Sequence, residues 1–143
     1  MMSRDQIKQY LPQREPMIMV DQLISHDSSL TKSGLNILED NILVSNRRLS
    51  EAGLLENMAQ TAALSKGYEL SLLGEKAPIG FIGAVKNLLI QRLPILNEHI
   101  ETEIKVKHEV LNASIVEAQV FCNDEIIASC ELKIFLNPQI EES

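Results

Sequence analysis

The sequence predicts an α+β protein in which an antiparallel sheet curls around one long, buried helix. Three observations carry this expectation. From Ser50 to Tyr68 (SEAGLLENMAQTAALSKGY), Leu54, Leu55, Met58, Ala59, Ala62 and Ala63 recur at three- and four-residue steps, the period of a helix. From Glu98 to Val110, Ile100, Thr102, Ile104, Val106, His108 and Val110 alternate with His99, Glu101, Glu103, Lys105, Lys107 and Glu109. That is the period of a strand with one buried and one wet face. Val116–Cys122 and Ile126–Ile134 alternate in the same way on either side of a short turn. One long helix among hairpin-linked strands places the helix on one face of the sheet.

The elements follow in order. Ser3 with Gln6 is a capping-box pattern and predicts a short helix over about 3–11, ended by Leu11-Pro12. Met17–Ile24 reads as a strand, and Leu30–Ile37 as a weaker one with Gly34 a candidate bulge. Residues 40–49 read as a loop. The central helix is expected over about 50–68, capped by Ser50 and stopped by Lys66-Gly67. A turn at Gly74–Pro78 precedes a strand over Ile79–Ile90, and Pro94 and Asn97 mark a further break. In the last hairpin both apolar faces carry even numbers. Opposed residues share a face, so a three-residue loop, Asn123-Asp124-Glu125, is expected to pair Cys122 with Ile126 and Ala118 with Cys130. The two cysteines then lie about 13 Å apart, too far for a disulfide.

Composition narrows the function. A chain of 143 residues with 45% apolar content is expected to make one domain, 1–143, with a sizeable core and a polar tail over 137–143. Tryptophan is absent, aromatics make up 3%, and the formal net charge is -7. Those values argue against nucleic-acid partners and anionic membrane surfaces. No run is long and apolar enough to span a membrane. A polar N-terminus and two cysteines fit a reduced cytoplasmic protein. No metal-ligand spacing is present, and neither a metal nor another cofactor is expected. His26 and His99 read as surface residues, whereas His108 falls on the apolar parity of its strand and is expected to point inward.

Within the apolar run of the central helix sit Glu56, Asn57 and Gln60, with Glu56 and Gln60 four apart and therefore on one face. A carboxylate on a buried helix is costly unless it is paired or put to use. Asn57 and Gln60 are expected to orient their neighbours through side-chain hydrogen bonds.

Three stretches resemble the β-hydroxyacyl-acyl-carrier-protein dehydratases of the hot-dog fold. Leu11-Pro12-Gln13-Arg14-Glu15-Pro16, running into Val20-Asp21, is similar to that family's opening LPHRxP…VD. Glu56-Asn57-Met58-Ala59-Gln60 is similar to its central-helix ExMAQ, and Ile82–Leu88 with Arg92 and Pro94 to its GIDxARF…RPVxPGD. The resemblance covers nearly the whole chain. It implies a homodimer with a continuous sheet, two central helices side by side, and acyl tunnels at the subunit interface. One segment departs from the pattern. The family's HFPGxPxxPG loop, whose histidine works with the helix glutamate of the other subunit, corresponds here to Asn41–Ser50, which is shorter and holds neither histidine nor proline. In this it resembles the divergent hot-dog proteins found with aryl-polyene and flexirubin synthesis, which implies a dehydratase-like subunit partnered with a complete one.

The resemblance assigns candidate roles. Dehydrating a 3-hydroxyacyl thioester needs a group to remove the proton beside the carbonyl, a group to protonate the departing hydroxyl, and donors for the enolate oxygen. Glu56 is the catalytic candidate. Gly53, Gln60 and Asn57 are substrate-binding candidates, Gly53 through its backbone N–H near the positive helix end. Arg47, Arg48 and Arg92, with Arg14 and Lys86, lie near segments that form the family's tunnel mouth, and the first three are candidates for docking acyl carrier protein or acyl-CoA. The expected function is dehydratase-like action on, or binding of, 3-hydroxyacyl or acyl thioesters in fatty-acid or polyene-type biosynthesis. The alternatives are a non-catalytic subunit that binds acyl chains or partners an active dehydratase, and a single-carboxylate acyl thioesterase.

Overall fold

A computed structural model describes residues 1–75, 79–110 and 112–137. The end of the turn expected at Gly74–Pro78, and the expected polar tail after Asn137, lie outside the described residues. The order is α1 (Arg4–Ile7) continued by a 3-10 turn (Lys8–Tyr10), β1 (Gln22–His26), β2 (Leu30–Asn36), β3 (Val44–Ser45), β4 (Arg48–Leu49), α2 (Glu51–Leu72), β5 (Ile79–Ile90), β6 (His99–Val110), β7 (Ala113–Cys122) and β8 (Glu125–Asn137). Six strands form one antiparallel sheet in the order β1-β2-β6-β7-β8-β5, and α2 packs against β2, β6, β7 and β5. The α+β architecture is as the sequence predicts.

The main core lies between α2 and the sheet. Leu54, Met58 and Ala62 of the helix join Leu35, Ile100, Ile104, Val116, Ala118, Val120, Ala128, Cys130, Leu132 and Ile134 in one buried cluster. A second cluster beside it holds Ile7, Leu11, Val20, Leu23 and Leu64, so the N-terminal helix covers the far side of α2. The Ser3–Gln6 capping box is present, with the Ser3 N–H donating to Gln6 Oε1 at 2.9 Å.

Five local expectations are corrected. The helix does not stop at Lys66-Gly67; it runs to Leu72 and ends at Gly74, whose φ of +76° suits glycine. Leu64 and Tyr68 pack on the second cluster, and that burial carries the helix through Gly67. The bulge of the first hairpin lies in β1 between Leu23 and Ser25 rather than at Gly34. Gly34 is regularly paired, and a Cβ there would come within 2.9 Å of His99 Cε1, so a larger residue would push the His99 ring aside.

The final hairpin has a two-residue loop. Asn123 and Asp124, at φ 52° and 64°, make a tight turn of the kind matched to strand twist, and Cys122 pairs with Glu125 rather than Ile126. An irregularity beside Val120 and Phe121 then restores the parity, so Ala118 does pair with Cys130. The extra residue turns Ile127 inward (1% exposed) and leaves Ile126 outside (42%), the reverse of the sequence expectation. His108 is exposed rather than inward, because the second half of β6 is uncovered on both faces from Lys105 to Val110. Finally, the stretch expected as a strand from Met17 to Ile24 joins no ladder over Met17–Val20, and β1 begins only at Gln22.

Candidate active site

The unladdered Met17–Val20 segment explains two of the polar side chains on α2. Gln60 Oε1 accepts from the Met19 N–H at 2.7 Å, and Gln60 Nε2 donates to the Met17 carbonyl at 2.8 Å. Asn57 Nδ2 donates to the Met19 carbonyl at 2.7 Å. The helix thus replaces a neighbouring strand as the partner of this backbone, which would otherwise be buried unsatisfied. Both side chains are buried.

Glu56 is placed by the same network. It is half-buried, and its Oε2 accepts from Gln60 Nε2 at 3.0 Å. One amide therefore ties the carboxylate to the Met17 carbonyl while the rest of the carboxylate stays accessible. Among the described residues no histidine, cysteine or second acid is hydrogen-bonded to Glu56. His26 Nδ1 bonds Thr31 Oγ1 at 2.8 Å, His99 Nδ1 bonds Asn36 Oδ1 at 2.9 Å, and His108 is exposed on β6. Ala52 is exposed one turn before Glu56, Leu55 packs on the main cluster and Ala63 on the second.

Gly53 is buried, and its N–H donates to the Ser50 side chain at 3.2 Å, the helix cap expected from sequence. A Cβ at this position would collide with Leu49 Cδ1. Glycine is therefore required for Leu49 and Leu43 to close over the helix start. The loop that replaces the histidine-bearing segment is itself ordered. Val44–Ser45 and Arg48–Leu49 pair as a small hairpin, and Asn46 and Arg47, at φ 54° and 63°, form its turn. Arg47 and Arg48 stand exposed at its tip. The same hairpin is tied to the segment after Arg92, the Leu49 N–H donating to the Pro94 carbonyl at 2.9 Å and the Leu96 N–H to the Arg47 carbonyl at 3.0 Å, but Arg92 itself is engaged: its Nη1 and Nη2 donate to Glu98 Oε1 and Oε2 at 2.9 and 3.1 Å. The guanidinium, with the Ile95 N–H, holds the Glu98 carboxyl down to about 2. Arg14 donates to the Leu11 and Gln13 carbonyls, both at 2.7 Å.

A group of site residues was invisible to the apolar-period reading. Along α2, Asn57, Thr61 and Ser65 follow each other at four-residue steps and meet three hydroxyls of the sheet. Thr102 Oγ1 donates to Asn57 Oδ1, Ser33 and Thr61 share a hydrogen bond of 2.7 Å, and Thr31 Oγ1 donates to Ser65 Oγ at 2.7 Å. All six are buried. The four-residue step on the helix and the two-residue step of Thr31 and Ser33 on β2 were the available signals.

A six-stranded antiparallel sheet around one long helix is the hot-dog fold. The chain belongs to the ApeP-like dehydratase family (ApeP dehydratase), whose model matches residues 5–143. The fold is similar to that in the dehydratase heterocomplex ApeI:P from Xenorhabdus doucetiae, with a TM-score of 0.81 at 16% identity over 93% of this chain and 91% of that one. It is also similar to smu.793 from Streptococcus mutans UA159 bound to acetyl CoA (TM-score 0.64, 9% identity, 84% and 90% of the two chains). The E. coli PaaI protein of the phenylacetic acid degradation operon is a further likeness (TM-score 0.63, 14% identity, 80% and 81%). A comparison with curated protein sequences finds no match. Among the described residues no helix is long and apolar enough to cross a membrane.

Proposed function

We propose that this chain is the dehydratase-like subunit of an acyl-thioester dehydratase, and that it supplies Glu56 to a site completed by a second, histidine-bearing hot-dog chain. The observation that carries the reading is the setting of Glu56. Its carboxylate is positioned by Gln60, half-exposed on α2, and among the described residues has no acid–base partner. Removing the proton beside the thioester carbonyl and protonating the departing hydroxyl are two roles, and Glu56 fills one of them. The other falls to a group reaching the same face from another chain. A likeness to one chain of a dehydratase heterocomplex agrees with this.

The surface supports a second chain. β5 is an edge strand of twelve residues that exposes Ile82, Val85, Leu88 and Leu89. A long apolar edge is a template for strand pairing. Arg47 and Arg48, at the tip of the hairpin leading into α2, are the cations available to a phosphate-bearing carrier, acyl carrier protein or coenzyme A. Arg92 is committed to Glu98.

The test is turnover of 3-hydroxyacyl thioesters by the chain alone, by the chain with a histidine-bearing dehydratase chain, and by that complex carrying Glu56→Gln. The expected result is no turnover alone, turnover in the complex, and a fall of about 10²- to 10⁴-fold with the variant. Full turnover by the chain alone, or a complex indifferent to Glu56→Gln, overturns the proposal. In the active complex, Arg47→Ala with Arg48→Ala raises KM more at low than at high ionic strength.

A further inference from the structure

The Met17–Val20 segment is suspended between two helices. From one side, Gln60 and Asn57 of α2 hold the Met17 carbonyl and both backbone groups of Met19. From the other, α1 reaches in with a single side chain. Arg4 Nη2 donates to the Ile18 carbonyl at 3.1 Å, and Arg4 Nη1 lies 3.7 Å from Asp21 Oδ1. Asp21 is itself fixed, its Oδ2 accepting from the Asn36 N–H at 2.7 Å. α1 is anchored independently of Arg4. Ile7 is buried in the second cluster, and Met2 and Leu23 exchange backbone hydrogen bonds of 2.9 and 3.0 Å. The Arg4 side chain is 38% exposed and lines an open cleft with Pro16, Ile18, Asp21, Asn36 and Asn41. It therefore contributes a charged donor rather than core packing.

We infer that Arg4 is a positioning residue for Glu56, acting through the Ile18 carbonyl, the Met17–Met19 backbone and Gln60. The inference rests on the role of Glu56 proposed above and adds the N-terminal helix to the machinery of that site. A strand is held in place by its ladder; this segment joins none, so side chains fix its position. Ile18 sits between the two residues whose backbone Gln60 grips, and a shift at Ile18 moves both. Gln60 has no spare donor to absorb such a shift. Its Nε2 donates at once to the Met17 carbonyl at 2.8 Å and to Glu56 Oε2 at 3.0 Å, which uses both protons. A Met17 carbonyl that moves turns the amide, and the hydrogen bond to Glu56 turns with it. The bond from the Arg4 guanidinium to a carbonyl is charge-assisted and stronger than a neutral one, so one arginine sets the outer side of the segment.

The experiment compares wild type with Arg4→Ala, Arg4→Lys and Ile7→Val. Two readouts use the full chain alone: hydrogen exchange of the Met19 N–H, and the side-chain amide resonances of Gln60. The third is turnover of 3-hydroxyacyl thioesters in the complex with a histidine-bearing dehydratase chain. Arg4→Ala is expected to speed Met19 exchange about tenfold or more, with exchange in the β7–β8 ladder unchanged, and to shift the Gln60 resonances. In the complex it lowers kcat by about 10- to 100-fold and leaves KM near wild type. Arg4→Lys keeps a charged donor on α1 and recovers most of each effect. Ile7→Val loosens the packing of α1 with Arg4 in place; it lowers the melting temperature and leaves kcat unchanged. Met19 exchange and Gln60 resonances that do not respond to Arg4→Ala overturn the inference. So does an unchanged kcat in an active complex, or a kcat that falls as far with Ile7→Val. If wild type itself shows no turnover in the complex, the proposed function fails, and the exchange and resonance readouts still decide whether Arg4 fixes the segment that holds Gln60.

Discussion

α2 meets two halves of one sheet by different chemistry. Toward β2 and β6 a buried polar seam runs among the apolar contacts of Leu35, Ile100 and Ile104: Asn57 with Thr102, Thr61 with Ser33, and Ser65 with Thr31. Toward β7 and β8 it is apolar, with Met58 and Leu54 packed in a cluster that includes Ala118, Val120, Ala128, Cys130 and Leu132. Apolar contact is not directional and tolerates rotation of the helix, whereas a hydrogen bond fixes angle and register. The apolar side therefore supplies most of the stability. The polar side fixes the rotation of α2, and with it the direction in which Glu56 points.

The largest expected effect tests the apolar side. Met58 is fully buried, and the Cys130 thiol lies 3.7 Å from its sulfur. Met58→Ala leaves a cavity at the centre of the cluster and is expected to cost about 3 kcal/mol in urea denaturation. Binding of acyl thioester by the folded fraction should be unchanged, since the seam still holds the helix. Asn57→Ala tests the other side. It strands the Met19 carbonyl and the Thr102 hydroxyl, a loss of about 2 kcal/mol. In contrast to Met58→Ala, the folded fraction should lose activity in the complex, because the segment that orients Gln60 and Glu56 is released. If both variants harm activity in proportion to stability, the division of labour is wrong.

Next in size is an electrostatic anchor at the rim of the apolar side. Glu98 takes both guanidinium donors of Arg92 and also accepts from the Cys122 thiol at 3.3 Å. Its carboxyl lies near 2 in the folded protein, against an ordinary value of 4.5. A depressed folded value means the unfolded chain takes up the proton first. The stabilisation is therefore complete above about pH 5 and is lost as pH falls from 4.5 toward 2. With Arg92 37% exposed, the contribution at neutral pH is about 1 kcal/mol. Glu98→Gln should flatten the acid limb of a stability–pH curve and lower stability at pH 7; an unchanged acid limb would show that the pair contributes nothing.

These halves were not equally legible in the sequence. The helix, the strands and the placement of the apolar core follow from periods of 3.6 and 2, and the likeness carried by Glu56–Gln60 pointed to the family. Register failed wherever the backbone inserts a residue, as at Val120–Phe121, because a bulge changes parity without changing composition. The same cause exchanged Ile126 with Ile127, whereas His108 was misplaced because the far half of β6 is uncovered on both faces. The polar seam was missed because Thr and Ser are weak signals when each element is read alone; only two elements read together show that their hydroxyls coincide. Asn57 and Gln60 were expected to orient neighbours, but that the neighbour is the Met17–Met19 backbone depends on a segment without a ladder.

The smallest expected effect separates a seam that contributes energy from one that contributes direction. Ser33 and Thr61 satisfy each other, and Thr61 also donates to the Asn57 carbonyl. Thr61→Val alone leaves the Ser33 hydroxyl buried without its partner and should cost about 1 kcal/mol. Adding Ser33→Ala removes the stranded group, and the double variant should return to within about 0.5 kcal/mol of wild type, since loss of both partners is nearly neutral when shape is kept. Stability would then be restored while one of the three directional ties between α2 and the sheet stayed absent. If the active complex built with the double variant turns over as fast as wild type, Asn57–Thr102 and Ser65–Thr31 suffice to aim Glu56. If turnover falls although stability has returned, the middle tie is itself part of the aim, and the seam acts on function through direction rather than through energy.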